Sequence, residues 1–337
     1  MSDNFIIKKI KSLGGFRDLG LIAFILLLFA VVQIFNKEFL TFENFTDLIN
    51  NTAILSILTV GMLMVMLTGG IDLSIGSNMA LTGMAAALMV QANPTLNPWI
   101  AVLAAMVIGL VCGAIIGLLI SQLNVLPIIA SLGMNYIYRG ITFRLSNGAW
   151  VSAHQLPESF KHIGTGSDPI LHLSYLVWIA IIVFIIAQHF LRLTRTGRSI
   201  YATGSNKEAV SVSGINARRV ELMVYSIMGL LAGLAGALWV AKFASAQPDT
   251  ATGYEVNVIA ACVMGGVSVN GGRGKIFGIL LGALLIGTIN NALPLLSTYI
   301  SPFWQSFIQG FIILFAILMN VIFKRRKDYK DLLRRDL

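Results

Sequence analysis

RLTRTGRSIYATGSNKEAVSVSGINARR, Arg192 to Arg219, is the longest polar interval in a chain that is otherwise almost wholly apolar. It holds six basic residues: Arg192, Arg195, Arg198, Lys207, Arg218 and Arg219. Within it, Ser205-Asn206-Lys207-Glu208 fits the capping-box pattern, in which Ser205 accepts from a backbone N–H and Glu208 reaches back. Gly204 just before and Gly214 just after supply a turn and a left-handed stop. The spacing predicts about two turns of helix, too short to stand alone in water. Ala209 and Val212 lie three apart, on one face of that helix. A short capped helix between two membrane spans has the form of an element shaped to fit a partner. An ordinary connecting loop is the plainer reading of the same composition.

The composition sets the class. Of 337 residues, 56% are hydrophobic and only 12% charged, with a mean hydropathy of +0.81. A soluble chain carries about a quarter charged residues, so this is an integral membrane protein that crosses the bilayer repeatedly. Its net charge of +9 does not point to nucleic acid, because the basic residues follow topology. Cys112 and Cys262 both sit in apolar runs and have no metal-ligand spacing. No cleavable signal peptide is expected, since the first apolar run, from Leu19, is long and lacks a small-residue cleavage site.

The fold class expected is all-α and polytopic. Apolar runs of span length fall near 19–36, 50–68, 74–91, 98–121, 126–145, 172–191, 220–241, 254–268, 275–296 and 303–323. That is about ten, the eighth being short enough for a partial insertion. They make one membrane domain, 19–323, between a basic N-terminus, 1–18, and a basic tail, 324–337. With the N-terminus inside, the inner segments hold Lys8, Lys9, Lys11, Arg17, the six residues above, Arg273, Lys275 and the seven of KRRKDYKDLLRR. These are nineteen of the 24 Lys and Arg. Lys37, Lys161 and Lys242 fall outside, with Arg139 and Arg144 toward the outer end of the fifth span. The bias puts both termini and 192–219 in the cytoplasm. It also favours an even number of spans.

The large outer loop 146–171 shows no helix periodicity. His154, His162 and His172 lie around it without zinc-type spacing, so no metal site is expected. Charges within the spans are few. Asp72, in TGGIDLSIGS, follows Gly69-Gly70 and precedes Ser74 and Ser77, as a polar cap at a helix break on the membrane boundary would. Glu255 sits at the outer mouth of the eighth span and His189 near the inner end of the sixth. Candidate pathway residues are Asp72, Gln122, Asn124, Asn290 and Asn291. The adjacent asparagines must face protein or water rather than lipid. MLTGGIDLSIGS (66–77) and CVMGGVSVNGGRG (262–274) echo one another, and Gly274, Gly278 and Gly282, four apart, suit close helix packing.

No catalytic constellation is present. GGRGKI around Lys275 lacks the first glycine of a phosphate loop, and Ile276 stands where its Ser/Thr would be. No nucleophile elbow, metalloprotease motif or carboxylate pair occurs. The spans carry almost no ionisable group of the kind ion coupling requires. The drive is therefore expected from outside, at the capped helix. The alternative is a secondary transporter or facilitator for a small polar solute, using Asp72 for coupling.

From Leu19 to about Phe323 the chain resembles the membrane permease subunits of bacterial ABC sugar importers of the ribose, rhamnose and autoinducer-2 type. The resemblance is carried by TGGIDLSIGS (68–77), RTGRSIYATGSNKEAVSVSGI (195–215), SAQPDTATGYEVNVIAACVMGGVSVNGGRGKIFG (245–278) and GALLIGTINNAL (282–293). It implies a pore of two permease subunits, identical or paralogous, in the bacterial inner membrane. It also implies a cytoplasmic ABC ATPase that binds the ATP and Mg, so that no cofactor belongs to this chain. A periplasmic or lipid-anchored sugar-binding protein completes the set, with no nucleic acid and only membrane lipid besides. In such permeases a cytoplasmic loop with a Gly–Asn–Ala–Gly pattern docks on the ATPase, and Gly204, Asn206, Ala209 and Gly214 match it. Ser205, Glu208 and Val212 complete the expected coupling surface. NGAWVSAHQLPESF (147–160) and ISPFWQSF (300–307) lean toward the rhamnose and autoinducer-2 permeases.

Overall fold

The computed structural model describes residues 16–169 and 173–296, with positions 304, 307, 310, 311, 314 and 318. The tails 1–15 and 324–337, His172 and most of the expected span 303–323 lie outside the described residues. Among the described residues the elements are helical: α1 (Phe16–Phe35), α2 (Phe42–Leu67), α3 (Ile75–Ala92), α4 (Pro98–Ser121), α5 (Pro127–Ser146) and α6 (Glu158–Thr165). There follow α7 (Tyr175–Leu193), α8 (Arg195–Ser205), α9 (Lys207–Val212), α10 (Ala217–Phe243), α11 (Tyr254–Met264) and α12 (Ile276–Leu295). Seven of these, α1 to α4, α7, α10 and α12, are long and apolar enough to cross a membrane. The chain is an all-α, multi-pass membrane protein. α5 is 20 residues long but less apolar, since it carries Asn135, Arg139 and Arg144. α11 has 11 residues, a rise of about 16 Å, roughly half of a ~30 Å hydrocarbon core.

Central and peripheral helices differ in how they are buried. Every residue of α2 from Thr52 to Leu67 is buried, and so is α3 from Ile75 to Met84. A helix buried all round belongs in the middle of a bundle. α1, α4 and α7 instead expose large apolar side chains, among them Leu27, Val107 and Ile185, as helices facing lipid do. Lipid tails are as apolar as leucine, so close van der Waals fit replaces the hydrophobic effect between spans. α10 supplies that fit. A β-carbon added at Gly229 would lie 2.1 Å from Gly109 O, and one at Gly233 2.2 Å from Ala105 O. The expected close approach along Gly278 and Gly282 is present: Gly278 packs on Gly265, and Gly282 on Ala261.

Three local expectations are corrected. The loop 146–171 contains helix α6, where Phe160 and Ile163, three apart, are buried while Glu158, Ser159 and His162 stay exposed. Eight residues after Pro157 are too few for a periodicity to emerge against the Gly- and Pro-rich background. Second, 195–205 is itself a helix, α8, whose first turn is capped by Thr194 Oγ1 accepting from Gly197 N at 2.9 Å. Third, the break at 68–74 is deep in the bundle rather than at its boundary. α3 runs parallel to α10, with Gly83 against Gly236 and Val240. Gly70 faces the Tyr225 hydroxyl, about two turns into α10.

The segment 244–253 also enters the bundle. Val151 and Ala246 form an isolated antiparallel bridge beyond the end of α10. From there the chain descends until Ala251 and Glu255 touch the first turn of α3. A β-carbon added at Gly76 would lie 2.2 Å from Ala251 O and 2.8 Å from Glu255 Oε2. Since Gly76 lies two turns before Gly83, this contact is near the midpoint of α10. Glu255 is therefore at mid-depth and not at an outer mouth. α11 starts there and runs to the basic end.

Candidate functional site

The basic end carries the helix pair α8–α9. Asn206, between the two helices, accepts from Ala209 N through its side-chain oxygen at 2.9 Å. The cap of the short helix is thus Asn206 rather than Ser205. The hydroxyl of Ser205 donates instead to Tyr201 O, at 2.9 Å, inside α8. The reason is that α8 continues through Gly204 and Ser205, which leaves Asn206 as the first residue free to adopt the extended conformation of a cap. Gly214 ends α9 with φ +76°. Ile215 N then donates to Val210 O at 3.2 Å, the six-to-one bond of a Schellman stop.

α9 is anchored on one side and open on the other. Val210 is buried, while Lys207, Glu208 and Ala209 are exposed and Val212 is 90% exposed. Lys207 Nζ reaches Glu221 Oε1 in the first turns of α10 at 2.6 Å. An exposed valine next to an exposed alanine, on a helix of six residues, leaves an apolar spot in a basic surround. Arg192, Arg195, Arg198, Arg218, Arg219, Arg273 and Lys275 are all exposed around it.

Gly204 is not a turn residue. It lies within α8, and a β-carbon there would be 1.7 Å from Leu67 O and 2.7 Å from Gly272 N. Leu67 is the last residue of α2, and its carbonyl accepts from Gly272 N at 2.9 Å. Tyr201, one turn earlier on α8, donates its hydroxyl to Gly274 O at 3.0 Å, and burial pushes its phenol above the ordinary range. The two glycine-rich stretches that echo one another in the sequence therefore meet, and α8 is wedged on their junction.

The five candidate pathway residues fall in three places. Asp72 is buried in the break that follows this junction, and its Oδ1 accepts from Ser74 N at 2.8 Å and Ser74 Oγ at 2.7 Å. Asp72 thus orders the turn that leads into Ser74, the residue before α3, rather than capping the helix itself. Gln122 and Asn124 are exposed in the connection from α4 to α5, Asn124 with φ +54°. Asn290 and Asn291 line a cavity of about 270 Å³ with Asn51, Trp239, Phe243 and Tyr254. Asn291 and Asn44 exchange amide hydrogen bonds of 3.0 and 3.1 Å, and Lys242 Nζ donates to Asn51 Oδ1. Trp239 packs edge-on against Tyr254 with ring centroids 5.5 Å apart.

A further polar group was read from sequence only as mouth residues. Arg139 Nη1 donates to Pro248 O and Thr250 O, both at 2.8 Å, pinning the descending segment to α5. Glu255 and Asp249 lie within electrostatic reach of Arg139, and Glu255 within reach of Asp72. The signal that marks this group is a loop-like polar run, SAQPDTATG (245–253), directly before an apolar run too short to span.

Comparison with known proteins places these features in a family. Residues 44–317 match the family model described as branched-chain amino acid transport system / permease component. The ribose import permease protein RbsC of Escherichia coli strain K12 is 41% identical over 298 residues, 88% of this chain and 91% of the relative. The L-arabinose ABC transporter permease protein AraH of Azospirillum brasilense is 33% identical over 325 residues, 95% of this chain and 93% of the relative. The autoinducer 2 import system permease protein LsrC of Photorhabdus luminescens is 30% identical over 313 residues, 92% of each. Identity is thus higher with this ribose permease than with this autoinducer-2 permease, opposite to the lean of the two loop segments. No solved structure matches the chain.

Proposed function

Because the chain belongs to the family of transport-system permease components that includes the ABC sugar import permeases, we propose that it is the membrane-spanning half of an ATP-driven importer for a monosaccharide or a sugar-like small molecule. The chain itself carries out no covalent chemistry. It gives the sugar a route through the inner membrane, while a separate cytoplasmic ATPase binds ATP and Mg and a binding protein outside delivers the solute. A second permease subunit, identical or paralogous, completes the pore. Both termini and the α8–α9 pair face the cytoplasm in this reading, which the concentration of Lys and Arg at that end supports.

The observation that carries the proposal is the contact of Gly204 with Leu67 O and Gly272 N. α9 presents Ala209 and Val212 outward, and α8 joins it to the end of α2 and the loop before α12 without an intervening side chain. A push or pull on α9 is therefore transmitted as a movement of backbone on backbone. Beyond Leu67 lies the break that holds Asp72, and beyond Gly272 lies α12. Two packed arrangements of this junction, favoured in turn by ATP-bound and ATP-free partners, make a population-shift mechanism. Secondary transport has less support. Asp72 spends Oδ1 on two bonds to Ser74, which is how a carboxylate that orders a turn behaves.

The test is reconstitution. The permease, co-expressed with an ABC ATPase and a sugar-binding protein encoded beside it, is placed in proteoliposomes and supplied with radiolabelled ribose, L-arabinose or autoinducer 2. Uptake of one of these that needs ATP and the binding protein is expected. Uptake that proceeds without ATP and collapses with a proton or sodium gradient would instead establish the secondary-transport reading.

A further inference from the structure

Arg139, Glu255 and Asn135 stand near the middle of the bundle, and their surroundings are wrong for lipid. All three are half-buried, whereas Thr252 and Gly253 are exposed. On α5, Asn135 and Arg139 are four residues apart and share a face. A β-carbon added at Gly133 or Gly140, on the far side of the same helix, would meet nothing within 4 Å, whereas the side that carries Arg139 lies along 248–250. Where it reaches Gly76, the backbone at 251–253 is non-helical at a depth where lipid offers no hydrogen bonds. Such backbone is tolerated only where protein buries it or water wets it. An ionisable side chain at that depth likewise faces a bundle interior or a water-filled cavity.

We propose that Arg139, Glu255 and Asn135, with the backbone at 252–253, form a water-facing polar belt that binds the hydroxyl groups of a sugar in transit. The proposal rests on the permease reading and assigns the solute a place within it. Arg139 Nη1 is committed to Pro248 O and Thr250 O, which fixes the guanidinium plane and leaves its other N–H donors directed elsewhere. The Glu255 carboxylate only accepts, and the Asn135 amide both donates and accepts. A sugar hydroxyl both donates and accepts, so a fixed donor beside a fixed acceptor suits a vicinal diol. The opposite charges of Arg139 and Glu255 make the belt suited to a neutral polyol, whereas an anion would meet Glu255 and Asp249. The N-termini of α3 and α11 converge beside it at Gly76 and Ala251, the arrangement in which broken helices present backbone to a solute at mid-membrane. The Asn290–Asn291 cavity is then an outer antechamber and not the point of recognition.

The experiment uses the assembled transporter in proteoliposomes. Asn135→Cys and Thr252→Cys are each treated with a charged methanethiosulfonate reagent, and Val107→Cys, 61% exposed on α4, is the lipid-facing control. Native Cys112 and Cys262 are buried and remain. Thiol reactivity follows access to water, so both belt positions are expected to label about tenfold or more faster than the control. Ribose or L-arabinose is expected to slow them severalfold, and Glu255→Gln to raise the KM of import with the amount of complex unchanged. Labelling at the control's rate overturns the proposal, and so does fast labelling that neither sugar slows. Failure of the unmodified complex to couple ATP to uptake would sink the importer reading separately, while the labelling rates still locate the aqueous path.

Discussion

Gly272 donates its amide to the carbonyl of Leu67 at 2.9 Å, and this one bond joins the end of α2 to the loop before α12. The last carbonyls of a helix have no partner within it, so Gly272 satisfies a group that would otherwise be stranded in a crowded interior. The same carbonyl leaves no room for a side chain at position 204. Exposed helix, wedge and helix break therefore form a continuous backbone path.

Gly204→Val should break this path. The added carbons must displace Leu67 or Gly272, and overpacking of this kind costs about 1–3 kcal/mol. A lower melting temperature of the purified permease in detergent is expected, with uptake lost. Unchanged melting and transport would show that the junction is loose enough to accept a side chain.

The cap moves the weight of prediction from Ser205 to Asn206. Asn206→Ala should cost about 0.5–2 kcal/mol of local helix stability. If α9 must be formed to bind the ATPase, affinity falls by up to about tenfold, the equivalent of 1.4 kcal/mol. Ser205→Ala should change affinity little, because that hydroxyl only bonds back into α8. Titration of the ATPase onto both variants decides; greater damage from Ser205→Ala would contradict the assigned cap.

Asn290 and Asn291 should behave differently from one another. Asn291→Leu strands Asn44, its reciprocal partner, so a double-mutant cycle with Asn44→Leu is expected to show coupling of about 0.6 kcal/mol, the average for such pairs in membranes. Asn290→Leu should lower uptake while the complex still assembles, since the residue lines the cavity. Full uptake in Asn290→Leu would remove that cavity from the route.

Topology is checked by single cysteines. Ser205→Cys and Ser159→Cys lie on exposed surfaces at opposite ends of the bundle. Only Ser159→Cys should react with an impermeant thiol reagent added to intact cells. Reaction at Ser205→Cys alone would invert the molecule.

The sequence made the membrane class and most helices legible because a span leaves a long apolar run. α1, α3, α4, α7, α10 and α12 fall within a few residues of the runs read for them, and α2 begins eight residues earlier, at Phe42 instead of 50. The extra turns of α2 are hidden by Glu43, Asn44 and Asp47, and Asn44 pairs with Asn291 rather than facing lipid. What the sequence could not give was depth. Asp72 and Glu255 both read as boundary residues, because each adjoins a helix break and a break resembles a membrane edge. The register of α3 on α10 puts them inside. Gly204 misled for a similar reason: a glycine beside a cap motif suggests a turn, yet here its missing side chain admits a neighbouring carbonyl. α6 escaped because two large buried side chains, Phe160 and Ile163, in eight residues make no recognisable period.

The central claim is that α9 is the surface through which the transporter is driven. Ala209 is exposed on α9, so Ala209→Glu should leave the permease inserted and abundant while placing a charge and bulk where a partner must approach closely. Co-purification of the ATPase with this variant, read beside uptake and ATP hydrolysis, tests the claim most directly. The account predicts a permease that purifies in normal amounts without its ATPase and transports nothing. An Ala209→Glu permease that retains the ATPase and imports at the unmodified rate would contradict it, and would reduce α9 to a linker.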